Sequence, residues 1–327
     1  MIQSMSLPLY SDTLREYRDW TDLQQEVHAL GCDGIEAIWG GEPIPEALPA
    51  GLVQGYHLIF FHDWVDLWNG NWPALKEKYG TLEQASAVYG GLGRETLLRQ
   101  YRDDLERAKR LGAEYVVFHV SDVSMEECFT YRFSHTNDQV ITAAVELINE
   151  LLPGKQWPFA FLVENQWWPG FTFTEPRHTE RLLDGIRYAN KGILLDTGHL
   201  MNCCTELRSQ SEGAAYISAM LDRHGSLSAM IRGVHFHQSL SGPYVQSHTG
   251  RLPEEWPEEF GQRFSINYAH VLQIDQHRPW TDPAILPVLE RIDPTWLTHE
   301  LTSRARAERV QAVETQQVLL RKRENIP

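Results

Sequence analysis

The chain has 327 residues, with 29 basic and 44 acidic side chains and a net charge of −15. That length suits one large domain or two ordinary ones, and no linker rich in proline, glycine or serine divides it, so we expect a single domain over 1–327. An acidic surface repels phosphate backbones, which disfavours nucleic acid as a partner. No apolar run approaches the roughly 18 residues of a membrane span, so no membrane-spanning role is expected.

The start of the chain and its cysteines favour a cytoplasmic protein. The first 20 residues lack the basic start and the long apolar stretch of a secretory signal. The cysteines show neither zinc-type nor disulfide-type spacing, and unpaired thiols suit a reducing compartment. They are Cys32, Cys128, Cys203 and Cys204.

Short apolar runs alternate along the chain with longer amphipathic stretches. Most of the runs are apolar on both faces, as buried parallel strands are, and each is too short for a helix. In chain order they are SLPLY, GIEAIW, VQGYHLIFF, EYVVFHV, FAFLVEN, GILLDTG, IRGVHFH and TWLTHEL. Eight strands alternating with helices predict an α/β fold, a closed (β/α)8 TIM barrel, with a doubly wound open sheet as the alternative. A glycine-rich loop is missing after the first strand, which disfavours a dinucleotide-binding sheet.

The intervening stretches have the apolar period of amphipathic helices. We expect helices over 95–113, 137–153 and 175–189, and a C-terminal helix at about 303–323. Two connections are too long for simple barrel loops, and we expect them to form extended loops at the C-terminal face of the barrel, where lids and binding loops lie. They run from Phe61 to Gly93 and from Gln238 to Pro283.

Acidic side chains and imidazoles stand where five of the strands end. They are His119, Glu164, Asp196, His237 and Glu300. In a barrel these ends converge on the face that carries the active site. Buried charges are costly unless they are paired or bound to metal, so the five residues predict a divalent metal site. Mixed nitrogen and oxygen ligands suit Zn²⁺, Mn²⁺ or Co²⁺, and a set richer in oxygen suits Mg²⁺.

Several of these candidates have alternative interpretations. The carboxylates could form salt bridges along the barrel rim. His235 and His237 share one face of their strand, and we prefer His237 as the ligand because it lies nearer the C-terminal end. His235 is then a buried neighbour of the site or the alternative ligand. His119 fits a ligand, a substrate contact or a hydrogen-bonded core histidine.

Three further residues lie near the predicted site in the sequence. Trp167 and Trp168 follow Glu164 closely and could form an aromatic wall for a sugar-like or ring-bearing ligand, or pack beneath a lid. Glu36 lies within a strand and fits a partner for a basic group or a substrate contact.

The segments FLVENQW, LLDTGHL, GVHFHQS and THEL occur in this order and resemble the xylose isomerase-like TIM-barrel superfamily over nearly the whole chain. Sugar-phosphate isomerases, ketose 3-epimerases, inosose dehydratases and endonuclease IV-type enzymes belong to it. The resemblance to the epimerase-like branch implies one divalent metal ion per chain. Its ligands would be Glu164, Asp196, His237 and Glu300.

The same resemblance implies a sugar or polyol isomerase or epimerase. Glu164 and Glu300 would exchange the proton of the substrate carbon through an enediolate, while the metal polarises the adjacent carbonyl. An inosose-type dehydratase or a hydrolase on the same scaffold is the alternative. A small sugar-like substrate is implied, and relatives often pair, which allows a homodimer. The residues expected to contact substrate are His57, His119, His199, Trp167, Trp168 and Arg251.

Two departures from the superfamily pattern disfavour endonuclease-like phosphodiester cleavage. Gln238 and Ser239 follow His237 where an acidic residue is common. An endonuclease-type site with three metal ions also needs a downstream Asp-x-His. The nearest match is QSH at 246–248, which lacks the aspartate.

Overall fold

The computed structural model describes residues 1–41, 48–154 and 156–322. Its centre is a closed barrel of eight parallel strands that follow one another around the ring in chain order. The open-sheet alternative is excluded because the first and last strands are paired, so the predicted (β/α)8 fold is confirmed. The strands are β1 (Ile2–Leu9), β2 (Gly34–Trp39), β3 (Val53–His57), β4 (Tyr115–His119), β5 (Ala160–Glu164), β6 (Lys191–Asp196), β7 (Ile231–His235) and β8 (Trp296–His299).

Helices connect the strands. They are α1 (Ser11–Leu14), α2 (Trp20–Ala29), α3 (Val65–Asn69), α4 (Trp72–Tyr79), α5 (Leu82–Tyr89), α6 (Arg94–Leu111), α7 (Met125–Thr130), α8 (Asn137–Leu151), α9 (Pro176–Gly185), α10 (Thr197–Asn202), α11 (Gln210–His224), α12 (Gly242–His248), α13 (Phe260–Ile274), α14 (Leu286–Ile292) and α15 (Arg306–Leu320). The helices predicted over 95–113, 137–153 and 175–189 correspond to α6, α8 and α9. The predicted C-terminal helix corresponds to α15, and its expected end at 323 lies outside the described residues. Among the described residues, no helix combines the length and the apolar character needed to cross a bilayer.

The pleat of the strands decides which side chains point into the barrel. Alternate residues of a strand share a face, so Ala160 and Leu162 lie on the same side of β5 as Glu164. Ala160 and Leu162 pack in a small apolar cluster with Tyr115 of β4. At Gly55 of β3, a Cβ atom would lie only 2.2 Å from the Tyr115 ring, so the glycine makes room for that ring. The carboxylate of Glu164 therefore continues an inward-facing row above an apolar layer.

The two long connections are helical insertions, which corrects the expectation of extended loops. The first carries α3, α4 and α5, and the second carries α12 and α13. Both follow the C-terminal ends of their strands, β3 and β7, as predicted. The helices of the first insertion are short and end at glycines, including Gly70 and Gly90 in the left-handed conformation, so they lack the long apolar period that marks a helix in a sequence.

A buried network of charges fastens the first insertion to the barrel. Lys78 Nζ lies 2.6 Å from Asp63 Oδ1 and 2.7 Å from Asp66 Oδ2. Asp122, which follows β4, accepts hydrogen bonds from two backbone N–H groups at the start of α3 (2.7 and 2.8 Å) and contacts His135 Nδ1 at 2.8 Å. Burial, together with the nearby charge of Asp122, raises the pKa of Asp63 to about 7. The network therefore depends on the Lys78 ammonium to offset two buried carboxylates.

Replacing Lys78 by methionine should lower the free energy of unfolding by about 3 kcal/mol, because it leaves the buried carboxylate of Asp63 without a cation and leaves Asp66 with His135 alone. Chemical denaturation measures this difference. Lys76 is exposed on the same helix, and Lys76→Met should change the free energy of unfolding by less than about 0.5 kcal/mol. Equal stability of the two variants would contradict the assigned role of Lys78.

Candidate metal centre

Four side chains meet above the interior of the barrel, at the C-terminal ends of its strands. Glu164 ends β5, Asp196 ends β6, His235 ends β7, and Glu300 directly follows β8. One oxygen or nitrogen atom of each lies within 4.8 Å of those of the other three. His235 Nδ1 lies 2.9 Å from Glu300 Oε2 and 3.6 Å from both Glu164 Oε1 and Asp196 Oδ2. We call these four residues the central cluster.

The central cluster has the properties of a cation site. Glu164 Oε2, His235 Nδ1 and Glu300 Oε2 are buried and make no hydrogen bond of acceptable geometry. An unsatisfied buried polar atom costs free energy, and three in one cluster are what a bound cation would satisfy. One imidazole nitrogen with carboxylate oxygens suits Zn²⁺, Mn²⁺ or Co²⁺. The residues present therefore fit a divalent ion.

Electrostatics keep the carboxylates of this cluster ionised. Burial by itself favours their neutral forms, but the imidazole of His119 holds the pKa of Glu164 well below its usual range. The imidazole of His199 acts in the same way on the pKa of Asp196. Burial opposes a charge on His235, yet the surrounding carboxylates raise its pKa well above the ordinary value. The carboxylates are thus in the form that binds metal, and a proton on the His235 imidazole is available for exchange.

A second cluster lies beside the central one and shares Glu164 with it. It contains His57, which ends β3, and His119, which ends β4. The two Nε2 atoms are 3.0 Å apart, and they lie 3.5 Å (His57) and 3.0 Å (His119) from the same oxygen, Glu164 Oε2. His57 Nδ1 contacts the carbonyl oxygen of Leu58 at 2.9 Å, so a proton there leaves the Nε2 lone pair facing the cluster.

A third cluster lies on the other side and contains His199, His237, Asp275 and His277. His199 belongs to α10, whereas Asp275 and His277 follow α13. Asp275 Oδ2 lies 3.2 Å from His199 Nε2 and 2.5 Å from His277 Nε2. Burial opposes a charge on His277, but Asp275 raises its pKa to about 9. The backbone of His277 is left-handed, with φ 45°, a conformation that is uncommon outside glycine and often found at functional sites.

The three clusters form one continuous row. Glu164 belongs to both the central and the second cluster. His237 Nε2 lies 2.8 Å from Asp196 Oδ2, which joins the third cluster to the central one. The same nitrogen lies 3.8 Å from Glu300 Oε2. The row therefore brings together side chains that can bind metal, from β3 to the segment after β8: His57, His119, Glu164, Asp196, His199, His235, His237, Asp275, His277 and Glu300.

The chain does contain an Asp-x-His segment downstream of β7, later in the sequence than the QSH at 246–248. The segment Asp275-Gln276-His277 lies in the third cluster. His248 is exposed on α12, where its ring stacks on Tyr244 at 4.1 Å between ring centres. Asp275 and His277 are not recognised in the sequence because they follow a helix, α13, and do not lie at the end of a strand.

His235 and His237 occupy different positions in the row. Strand β7 ends at His235, whose backbone is in register with Asp196 of β6. The central cluster contains His235, while His237 lies two residues further along the chain in the third cluster. The sequence-based preference for His237 rests on its nearness to the end of the strand. Since β7 ends at His235, the same reasoning favours His235 as the ligand.

A buried carboxylate contacts His235 from the interior of the barrel and fixes the orientation of its ring. Glu36 is fully buried on β2, and its two oxygens lie 2.9 and 3.1 Å from His235 Nε2. Tyr115 and Thr298 donate hydrogen bonds to the same carboxylate, at 2.7 and 3.1 Å. Because Nε2–H donates to Glu36, Nδ1 is directed into the central cluster. Of the two sequence interpretations of Glu36, the structure supports a partner for a basic group.

Replacing Glu36 by glutamine should weaken zinc binding by about 10- to 100-fold, because the amide no longer fixes the orientation and basicity of His235. Competition with a chromophoric chelator measures this affinity, with circular dichroism as the check on folding. Glu114 is exposed and precedes β4, at the opposite end of the barrel, so Glu114→Gln is the matched control and should leave the affinity unchanged. A folded Glu36→Gln protein with wild-type zinc affinity would refute this role.

The other predicted substrate contacts differ in position. The Trp167 ring lies 4.9 Å from that of His199, so this tryptophan borders the third cluster. Trp168 is buried and packs on Tyr131, which makes it part of a separate apolar cluster. Arg251 is exposed, and its side chain makes no hydrogen bond or ion pair with the clusters among the described residues.

The chain belongs to the family of xylose isomerase-like TIM barrels, whose sequence pattern matches residues 24–321. This confirms the resemblance found in the sequence. No curated protein sequence matches the chain at a significant level.

Solved structures with a similar fold include enzymes of different kinds. A D-tagatose 3-epimerase-like protein is 15% identical, with 99% of each chain covered and a TM-score of 0.53. Endonuclease IV from Thermus thermophilus is 15% identical, with 98% of this chain and 100% of the other covered and a TM-score of 0.50. The IolI protein with a bound zinc atom is 13% identical, with coverage of 99% and 98% and a TM-score of 0.51. At such low identity these similarities show the fold, so the chemistry has to be argued from the site.

Proposed function

We propose that this protein is a metal-dependent hydrolase of phosphate esters that holds three divalent cations along the row of clusters. The observation that carries the proposal is the continuity of the row, in which Glu164 is shared and His237 contacts Asp196 at 2.8 Å. Sites with two or more adjacent metal ions are typical of phosphatases and nucleases, which must offset charge on both the attacking and the leaving oxygen.

Each cation would have its own set of ligands. Glu164, Asp196, His235 and Glu300 would hold the central ion, so His235 takes the place first assigned to His237. His57 and His119, together with Glu164, would hold a second ion. His199, His237, Asp275 and His277 would hold the third. When bound, the cations polarise the phosphoryl oxygens and lower the pKa of a coordinated water.

The chain itself supplies groups that handle the proton of the attacking water. Glu300 lines the open cavity beside the row, so its carboxylate faces a bound substrate. Burial favours the neutral form of Glu300, but the imidazole of His235 lowers its pKa. An ionised Glu300 is therefore placed to accept a proton as general base. The Trp167 ring contacts that of His199 and so borders the far side of the row.

The direct test of this proposal is hydrolysis of bis(4-nitrophenyl) phosphate by protein loaded with Zn²⁺ or Mn²⁺. We expect turnover that a chelator abolishes and added metal restores. Asp196→Asn should lower kcat/KM by at least about 100-fold, since Asp196 belongs to the central cluster and contacts His237 of the third. Asp103 is exposed on α6, and Asp103→Asn should retain full activity. A protein that holds two or more ions per chain but does not hydrolyse phosphate esters would contradict the proposal.

A sugar or polyol isomerase or epimerase with one metal ion is the second candidate. It is favoured by the presence of both Glu164 and Glu300 in the central cluster, where their carboxylates lie 3.6 and 2.9 Å from His235 Nδ1. Two ionised glutamates could exchange the proton of a substrate carbon through an enediolate. A dehydratase would use the same groups. A D-tagatose 3-epimerase-like protein shares the fold, which makes a sugar-like substrate plausible.

The third cluster separates the two candidates. A variant with both Asp275→Asn and His277→Ala should lose one metal ion per chain and at least about tenfold in phosphoester hydrolysis if the row acts as a unit. The single-metal isomerase predicts one ion per chain in both proteins and unchanged turnover of ketose substrates in the variant. Elemental analysis together with the two activity assays decides between these outcomes.

A further inference from the structure

A cavity of about 750 Å³ opens beside the row of clusters. Its inner wall includes Glu300 of the central cluster and His277 of the third. Its outer wall includes Arg278, Arg304 and Tyr268. A volume of this size is typical of pockets for small molecules. The cavity thus connects the proposed reaction centre to a second set of side chains.

The outer wall of the cavity carries two positively charged side chains, although the protein as a whole is acidic. The guanidinium groups of Arg278 and Arg304 are exposed, and neither forms an ion pair with another of the described residues. The nearby Arg309, by contrast, pairs with Glu16, which neutralises both side chains. Because the chain has 44 acidic and 29 basic residues, two unpaired arginines on one cavity form a local anion-attracting site.

Backbone hydrogen bonds hold the two arginines on the same cavity. The N–H of Gln238 donates to the carbonyl of Arg278 at 2.8 Å, and the N–H of Arg278 donates to the carbonyl of Gln238 at 3.1 Å. The N–H of Thr302 donates to the carbonyl of His277 at 3.1 Å, which ties the segment after β8 to the same strand-like stretch. Arg278 and Arg304 are therefore positioned by the elements that carry the third and central clusters.

Apolar side chains of α13 form one part of the cavity wall, beside polar ones such as Gln273 and Gln276. Tyr268 and Leu272, one helical turn apart on α13, line the cavity and are 56% and 41% exposed. Phe264 continues this stripe and stacks on Tyr268, with rings 6.3 Å apart and an interplanar angle of 8°. Exposed aromatic and aliphatic side chains next to unpaired guanidiniums suit a ligand that has an apolar face and a terminal anion.

We propose that Arg278 and Arg304 bind a second phosphate group of the substrate, which is a small molecule carrying two phosphates. The inference rests on the proposed function, because it places the first phosphate at the row of clusters. The carbon skeleton between the two phosphates lies against Tyr268 and Leu272. A polynucleotide is disfavoured, since strand binding requires many phosphate contacts along a basic surface, and this protein has a net charge of −15.

The test compares the affinities of two probes for the zinc-loaded protein by calorimetry at physiological salt. Fructose 1,6-bisphosphate should bind at least about tenfold more tightly than fructose 6-phosphate, since hydrogen bonds to charged groups are among the stronger ones. The double variant Arg278→Ala/Arg304→Ala should abolish this preference and leave the affinity for fructose 6-phosphate within about twofold of wild type.

The control variant changes the net charge by the same amount elsewhere. Arg110 and Arg177 are exposed and do not line the cavity, so Arg110→Ala/Arg177→Ala should keep the preference. An equal loss of preference in the control would show a general charge effect and overturn the inference. The inference would also be overturned if the wild-type protein bound the two probes with equal affinity or bound neither of them. Tighter binding of a single-stranded oligonucleotide than of the bisphosphate would overturn it as well.

The outcomes also separate this inference from the proposed function. Hydrolysis of bis(4-nitrophenyl) phosphate without any preference for the bisphosphate would leave the hydrolase intact and remove the arginine subsite. A preference for the bisphosphate that depends on the two arginines, without any hydrolysis, would retain the subsite and remove the hydrolase.

Discussion

The structure depends on how negative charge is offset at the C-terminal end of the barrel. Glu164 and Asp196 are completely buried there, and Glu300 is almost so. Each isolated charge of this kind costs several kcal/mol, so the carboxylates are compatible with folding only because imidazoles surround them. His119 lies 3.0 Å from Glu164 and His237 lies 2.8 Å from Asp196. A proton on an imidazole such as that of His235, whose pKa is raised well above its ordinary value, and a bound cation are two ways of meeting the same requirement, so a metal ion bound here would compete with protons.

The central cluster is connected to other polar groups on two sides. Toward the barrel interior, Glu36 contacts His235 and accepts hydrogen bonds from Tyr115 and Thr298, so the polar contacts continue below the cluster. Toward solvent, the second insertion contributes Asp275 and His277 to the row. The barrel therefore supplies the central ligands, and the insertion decides how many cations the site can hold. The choice between single-metal proton transfer and multi-metal hydrolysis rests on the insertion.

Much of this arrangement could be predicted from the sequence, for identifiable reasons. The strands are short apolar runs that alternate with helices, so their ends can be located in the sequence. Glu164, Asp196 and Glu300 could therefore be found without a structure. His235 and His237 share a strand face, and the sequence pattern could not show that β7 ends at the first of them. Trp167 and Trp168 are adjacent and their rings are 4.9 Å apart, but only the fold shows that Trp167 also reaches His199 while Trp168 is buried in an apolar cluster.

The features that escaped prediction lie outside the strands. Asp275 and His277 follow a helix in a long insertion, where no periodic signal marks a ligand, and only their position against His199 shows their part in the site. Arg278 and Arg304 are far apart in the sequence and line one cavity because the segments that carry them are hydrogen-bonded together. Pairings of this kind depend on tertiary packing, which a single sequence does not display.

The proposed occupation of one continuous row by three cations is tested most directly by anomalous diffraction from crystals of the zinc-loaded protein. Data collected at the zinc absorption edge should show three peaks. One should lie among Glu164, Asp196, His235 and Glu300, one beside His57 and His119, and one beside Asp275 and His277. A single peak ligated by His237, with His235 outside its coordination sphere, would contradict the account and restore the single-metal isomerase.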